Sequence, residues 1–133
     1  MTPQIAEKFL YDHFAPWVLA LKPKVTRNER DLTVLEIPIT DALNRTGGIV
    51  CGQALTALAD TAMVLACGAH EGDMIPVGTV TLDTQFMRPA SGESIRAEAE
   101  ITRAGKSMIF ARCTLFTEPS GKAVATATAT FAR

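Results

Sequence analysis

The sequence predicts an α+β fold in which an antiparallel β-sheet wraps around one long central α-helix, with an additional helix at the N-terminus. Three observations predict it. Residues 53–69 form an apolar run of helical length whose only charged member is Asp60. Residues 95–102, 108–115 and 123–131 alternate with period two, the repeat that sends successive side chains to opposite faces of a sheet. Short turns at Ala104-Gly105-Lys106 and Glu118-Pro119-Ser120-Gly121 join these runs, as in antiparallel hairpins.

Taken in order, Ile5, Phe9, Leu10, His13, Phe14, Trp17 and Leu21 recur near helical spacing after Thr2-Pro3. Proline suits a first helical turn, so the spacing predicts one N-terminal helix ending before Lys22-Pro23. Residues 24–27 and 32–40 flank the polar Asn28-Glu29-Arg30-Asp31, the pattern of a hairpin, and Pro38 argues for an edge position or a strand end. Residues 41–52 read as loop, 53–69 as a helix buried almost all round, and Glu71-Gly72-Asp73 as its exit. A strand follows over about 77–87. In the next two strands Ile95, Ala97, Ala99 and Ile101, then Ile109, Ala111, Cys113 and Leu115, form one face. The final strand alternates small residues with Val124, Thr126, Thr128 and Thr130.

At 133 residues and 47% hydrophobic content the chain is sized for one domain spanning 1–133, with enough apolar surface for a real core. No repeat, low-complexity tract or linker divides it. Thirteen basic and 14 acidic residues give a net charge of −1, with the charges scattered. No basic stripe suggests nucleic acid. Three cysteines without CxxC spacing, and an N-terminus without a basic stretch and apolar core, lead us to expect a reducing, cytoplasmic setting. The longest apolar stretch is broken by Asp60, so no membrane span is expected.

Asp60 carries the most functional information. A carboxylate inside an apolar helix costs several kcal/mol unless it is paired or hydrogen-bonded. Eight residues earlier, Gly47-Gly48-Ile49-Val50-Cys51-Gly52 leads into the helix start, where backbone N–H groups lack partners and the helix dipole is positive. The pair suggests an oxyanion site and a base.

Gly48-Ile49-Val50-Cys51-Gly52-Gln53, followed by Leu58-Ala59-Asp60, and the later Thr84-Gln85-Phe86-Met87-Arg88-Pro89-Ala90 resemble the hot-dog thioesterase superfamily, in the branch of phenylacetate-pathway-type acyl-CoA thioesterases. The resemblance covers nearly the whole chain. Cys51 stands where the family usually has His, and Gln53 where it has a second Gly. The position of the family's upstream Asn holds Arg45, with Asn44 one residue earlier.

The resemblance implies hydrolysis of an acyl-CoA to free acid and CoA, with no metal or other cofactor. Gly52 N–H would polarise the thioester carbonyl and Asp60 would act as general base or as nucleophile. Thr79, ten residues before Pro89, corresponds to a Ser or Thr that helps hold the water or the carboxylate. Gln53, Asn44, Arg45, Cys51, Thr61 and Arg88 complete the substrate-binding candidates. Gly52 and Asp60 lie about 12 Å apart along one helix at about 1.5 Å per residue, too far for one thioester carbon to touch both. Two helices packed antiparallel about a two-fold axis would join Gly52 of one chain to Asp60 of the other, so a homodimer is expected, or a tetramer built from two dimers. Hydratase chemistry on this fold depends on a well-placed His in the central-helix region, and neither His13 nor His70 occupies such a place. A non-catalytic acyl-CoA-binding or regulatory module, with Asp60 merely fixing the interface, is the alternative.

Overall fold

A computed structural model describes residues 1–133. Helix α1 (Pro3–His13) starts at Thr2, whose hydroxyl accepts from Ile5 N–H at 3.3 Å, an N-cap that satisfies one of the helix's orphan donors. The predicted single N-terminal helix is in fact two. Phe14 and Ala15 are extended and a short helix α2 (Pro16–Leu19) follows. Pro16 is the cause, because it forces the residue before it out of the α region and opens a new first turn.

Strands β1 (Lys24–Glu29) and β2 (Leu32–Pro38) make the expected hairpin. The segment read as loop contains structure of its own: a 3₁₀ turn (Asp41–Leu43) and a small hairpin of β3 (Asn44–Arg45) with β4 (Ile49–Val50). Then come α3 (Gly52–Glu71), β5 (Gly78–Phe86), β6 (Ser94–Ala104), β7 (Met108–Glu118) and β8 (Ala123–Ala132). The main sheet is antiparallel with strand order β1-β2-β6-β7-β8-β5.

The sheet curls around α3. Its concave face supplies Ile95, Ala97 and Ala99 from β6, Ile109, Ala111 and Leu115 from β7, and Ala125, Ala127, Ala129 and Phe131 from β8. Leu55, Leu58, Ala59, Ala62, Met63 and Leu65 of α3 pack into it as one continuous core. Helix α3 is long and apolar enough to cross a membrane by length and composition alone, but 72% of its apolar window is buried within the fold, as in a core helix. Gly72, with φ 83°, caps α3 in the left-handed conformation by donating to the Gly68 carbonyl, which glycine adopts without a Cβ penalty.

The sequence reading of α3 as buried all round needs correction. Gly52, Gln53, Thr56, Ala57, Asp60 and Val64 remain partly or fully exposed. They recur at spacings of three and four and so form one bare stripe. Nearly all of β5 is likewise exposed, with Val80 at 55% and Phe86 at 54%. Only one side of β5 is paired, with β8. A bare helix stripe therefore lies beside an unpaired strand edge.

Candidate active site

Asp60 is half-buried on the bare stripe. The Thr79 hydroxyl donates to its Oδ1 at 3.0 Å, and Oδ2 accepts no hydrogen bond within the chain. Burial raises the Asp60 pKa above the ordinary carboxylate value, and the bond from Thr79 partly offsets this by favouring the ionised form.

A bulge positions Thr79. Strict alternation along β5 would put residue 79 on the same face as Thr81, Asp83 and Gln85, away from the helix. The register instead slips between Thr79 and Thr81: Thr79 lies opposite the buried Phe131, whereas Thr81 lies opposite Thr130. The additional residue, Val80, rotates Thr79 onto the helix-facing side with Leu82, Thr84 and Phe86, a common use of β-bulges beside functional sites.

Gly52 is the first residue of α3, after Cys51 in an extended conformation (φ −67°, ψ 149°). The Cys51 side chain makes no capping bond, and neither Gly52 N–H nor Gln53 N–H donates to any acceptor in the chain. Two donors at the positive end of a 20-residue helix are thus free to meet developing negative charge. The Phe86 ring covers this corner: a Cβ on residue 52 would lie 3.0 Å from the ring tip.

Gly52, Gln53, Asp60 and Thr61 line one cleft of about 610 Å³, walled by Trp17 and Phe86. Thr61 is buried, and its hydroxyl donates back to the Ala57 carbonyl at 2.7 Å, so it shapes the wall with its hydroxyl already engaged. Thr79 lies next door, in a mostly apolar chamber of about 660 Å³ that meets the cleft at Asp60, Phe14 and Val18. Arg45 and Arg88 line a third cavity that meets the cleft at Gly52 and Phe86.

Two candidates do not reach these spaces. Asn44 is held in the small hairpin opposite Val50, with a buried and unpartnered Oδ1, and Cys51 is half-buried against the core. Arg103 and Lys106 belong to the β6–β7 hairpin, whose turn accepts Arg133 beside Glu71 at the opposite end of α3 from Gly52. Burial pushes the Cys67 and Cys113 thiols up to about 12, so neither is a nucleophile at neutral pH. No group of three or more His, Cys, Asp or Glu converges in a metal-ligating arrangement.

Sequence reasoning missed the cleft's aromatic walls, Phe14, Trp17 and Phe86. Helical spacing had placed the first two on one continuous helix, which the extended Phe14 and Ala15 before Pro16 interrupt.

The sequence profile of the thioesterase superfamily matches residues 47–124, more than half the chain and the segment that carries Gly52, Asp60 and Thr79. The chain belongs to the thioesterase superfamily. Membership supports thioester hydrolysis as its class of chemistry, and the sheet wrapped around α3 is the superfamily's hot-dog fold. This thioesterase-superfamily chain is 29% identical to a Thermoplasma volcanium protein provisionally named an esterase, over 92 residues covering 69% of this chain and 67% of that one. Its structure is similar to that of a Ralstonia eutropha protein provisionally described as a thioesterase related to phenylacetic acid degradation. The TM-score is 0.82 and the identity 26%, covering 97% of this chain and 99% of that one. The PaaI protein of E. coli, from the phenylacetic acid degradation operon, shares the fold with a TM-score of 0.84 at 20% identity, covering 100% of this chain and 96% of PaaI.

Proposed function

We propose that this thioesterase-superfamily chain hydrolyses acyl-CoA thioesters to the free acid and CoA. The sites would lie in a homodimer and join Gly52 of one protomer to Asp60 and Thr79 of its partner. The observation that carries this reading is the Asp60–Thr79 hydrogen bond. It fixes a half-buried carboxylate of raised pKa on a cleft whose other end offers two unpaired backbone donors.

In the proposed reaction Asp60 takes a proton from water as the oxygen attacks the thioester carbon. The carbonyl electron pair moves onto oxygen, where Gly52 N–H and the helix dipole stabilise the charge. Collapse of the tetrahedral intermediate reforms the carbonyl, breaks the C–S bond and sends the pair to CoA sulfur, which takes up the proton held by Asp60. The chamber beyond Asp60, walled by Phe9, Phe14, Val18, Val64, Ile75 and Val77, suits an apolar acyl group.

Two bare surfaces support the dimer. The stripe on α3 and the unpaired edge of β5 are adjacent, and a nine-residue edge strand with its backbone groups open is a ready template for pairing with another chain. A two-fold axis beside β5 would pair the two edges, lay the α3 helices antiparallel and carry Gly52 toward the other chain's Asp60. Val80→Lys places a charge on that edge. It should halve the molar mass of the dimer in light scattering, or split a tetramer, and activity should fall with assembly. An unchanged mass with full activity would remove the β5 edge from the interface.

Acyl-CoA thioesters of aromatic, medium-chain and long-chain acids, assayed with a thiol-reactive dye, test the activity itself. Release of free CoA from at least one class is expected. Binding without turnover across all classes would favour a non-catalytic acyl-CoA-binding module.

A further inference from the structure

The acyl-CoA reading leaves open how the chain would recognise CoA rather than any other thiol. Two cavities bear on this. The first, about 380 Å³, opens at Gly52 and Phe86 and contains Arg45 and Arg88. The second, about 540 Å³, shares Met87, Arg88 and Pro89 with it and adds Ser91, Ser120 and Lys122. Together they form a track that leaves the reacting corner at Gly52 and ends at the β7–β8 turn.

The charge along this track is one-sided. Arg45, Arg88 and Lys122 line it and no carboxylate does, although the chain as a whole has one more acidic than basic residue. None of the three cations takes part in an ion pair, whereas Lys8, Arg27, Arg96, Arg112 and Arg133 all do. Arg88 is positioned as well as free. Its Nε donates to the Ala123 carbonyl at 2.9 Å, which holds the guanidinium beside Lys122 and leaves its terminal nitrogens available. The turn is itself braced: Ser120 Oγ lies 3.1 Å from Thr117 Oγ1, donates to the Thr117 carbonyl at 3.3 Å and accepts from Lys122 N–H at 3.3 Å. Unpaired guanidinium and ammonium groups with adjacent hydroxyls match phosphate oxygens in charge and in hydrogen bonding.

We propose that this track binds the phosphorylated nucleotide of CoA, with Arg45 and Arg88 facing the diphosphate and Lys122 and Ser91 receiving the 3′-phosphate. The inference rests on the acyl-CoA reading and assigns the specificity to the thiol half of the substrate. Lys122 is a specificity-determining residue remote from the reacting carbon, so it acts on substrate binding rather than on the chemical step.

The test compares an acyl-CoA with the matching acyl thioester of 3′-dephospho-CoA, for wild type and for Lys122→Glu, while calorimetry measures binding of CoA and dephospho-CoA themselves. Wild type should show a KM about tenfold lower for the CoA thioester at similar kcat. Lys122→Glu should erase that preference by raising KM more for the CoA thioester than for the dephospho substrate, because only the former loses a partner at residue 122 whereas the new carboxylate beside Arg88 bears on both. Equal KM values for the two substrates in wild type, or an equal loss on both in Lys122→Glu, would overturn the proposal while leaving thioester hydrolysis intact. If wild type hydrolyses no acyl-CoA, the activity reading fails by itself. Tighter binding of CoA than of dephospho-CoA would then still uphold the phosphate site, and equal or absent binding would refute it.

Discussion

Asp60→Asn is expected to lower kcat/KM for thioester hydrolysis by about 10²–10⁴-fold, the range that a positioned general base supplies, and to leave a better-folded protein. Asn keeps the size of the side chain and an oxygen to accept from Thr79 Oγ1, but it cannot take a proton from water. The stability gain follows from the raised pKa. A carboxyl whose folded-state pKa exceeds its unfolded value favours the folded state below the unfolded pKa, and this contribution is lost as pH rises through the folded pKa. Wild type at neutral pH therefore carries an ionised, partly desolvated group that Asn removes. Thermal melting at pH 7 should place Asp60→Asn above wild type, and the gap should close below about pH 4. The same shift sets the acid limb of the wild-type pH–rate profile above the ordinary carboxylate range. Thr79→Ala removes the bond that lowers the Asp60 pKa and should move that limb to still higher pH. A less stable Asn variant at pH 7 with full activity would mean that Asp60 is a structural carboxylate.

Gly52→Pro is expected to cost about 10²–10³-fold in kcat, the loss seen when one oxyanion donor is removed. The substitution suits this position unusually well. Residue 52 opens α3, where proline is tolerated because its missing N–H has no intrahelical partner, and Cys51 already has the extended backbone (φ −67°, ψ 149°) that a following proline requires. Gly52→Ala is the matched control: its Cβ meets the same Phe86 ring tip at 3.0 Å, a flexible neighbour that can turn aside, while the N–H is kept. Alanine should therefore stay within about tenfold of wild type. Equal losses for Ala and Pro, with circular dichroism unchanged, would shift the explanation from the N–H to the crowded Phe86 corner.

The elements readable from sequence were those governed by local periodicity. Strands β6, β7 and β8 followed their alternation, and α3 followed its apolar run, extended to Gly52–Glu71. Asp60 stood out because a carboxylate in such a run demands a partner. That partner, Thr79, was named through family resemblance, since its period in β5 points it away from the helix. What turns it round is the bulge at Val80, created by pairing with β8 some fifty residues later and invisible in any local pattern. The face of α3 left bare was only partly legible, because Gln53, Thr56 and Asp60 mark it at helical spacing while Ala57 and Val64 on the same stripe read as core. Lys122 gave no local signal. Its role depends on the fold placing the β7–β8 turn beside Arg88.

The central claim is that one site draws on two chains, and subunit mixing tests it most directly. Gly52→Pro and Asp60→Asn chains, each inactive alone, are co-expressed with different tags and allowed to assemble. A mixed dimer has one site with an intact Gly52 from the Asn chain and an intact Asp60 from the Pro chain, and one site lacking both. Random pairing makes about half the dimers mixed, so activity should return to roughly a quarter of wild type, and to about half in mixed dimers isolated through both tags. If each site were instead built within a single chain, every site in the mixture would lack one group, and no recovery above the two parent variants would be seen.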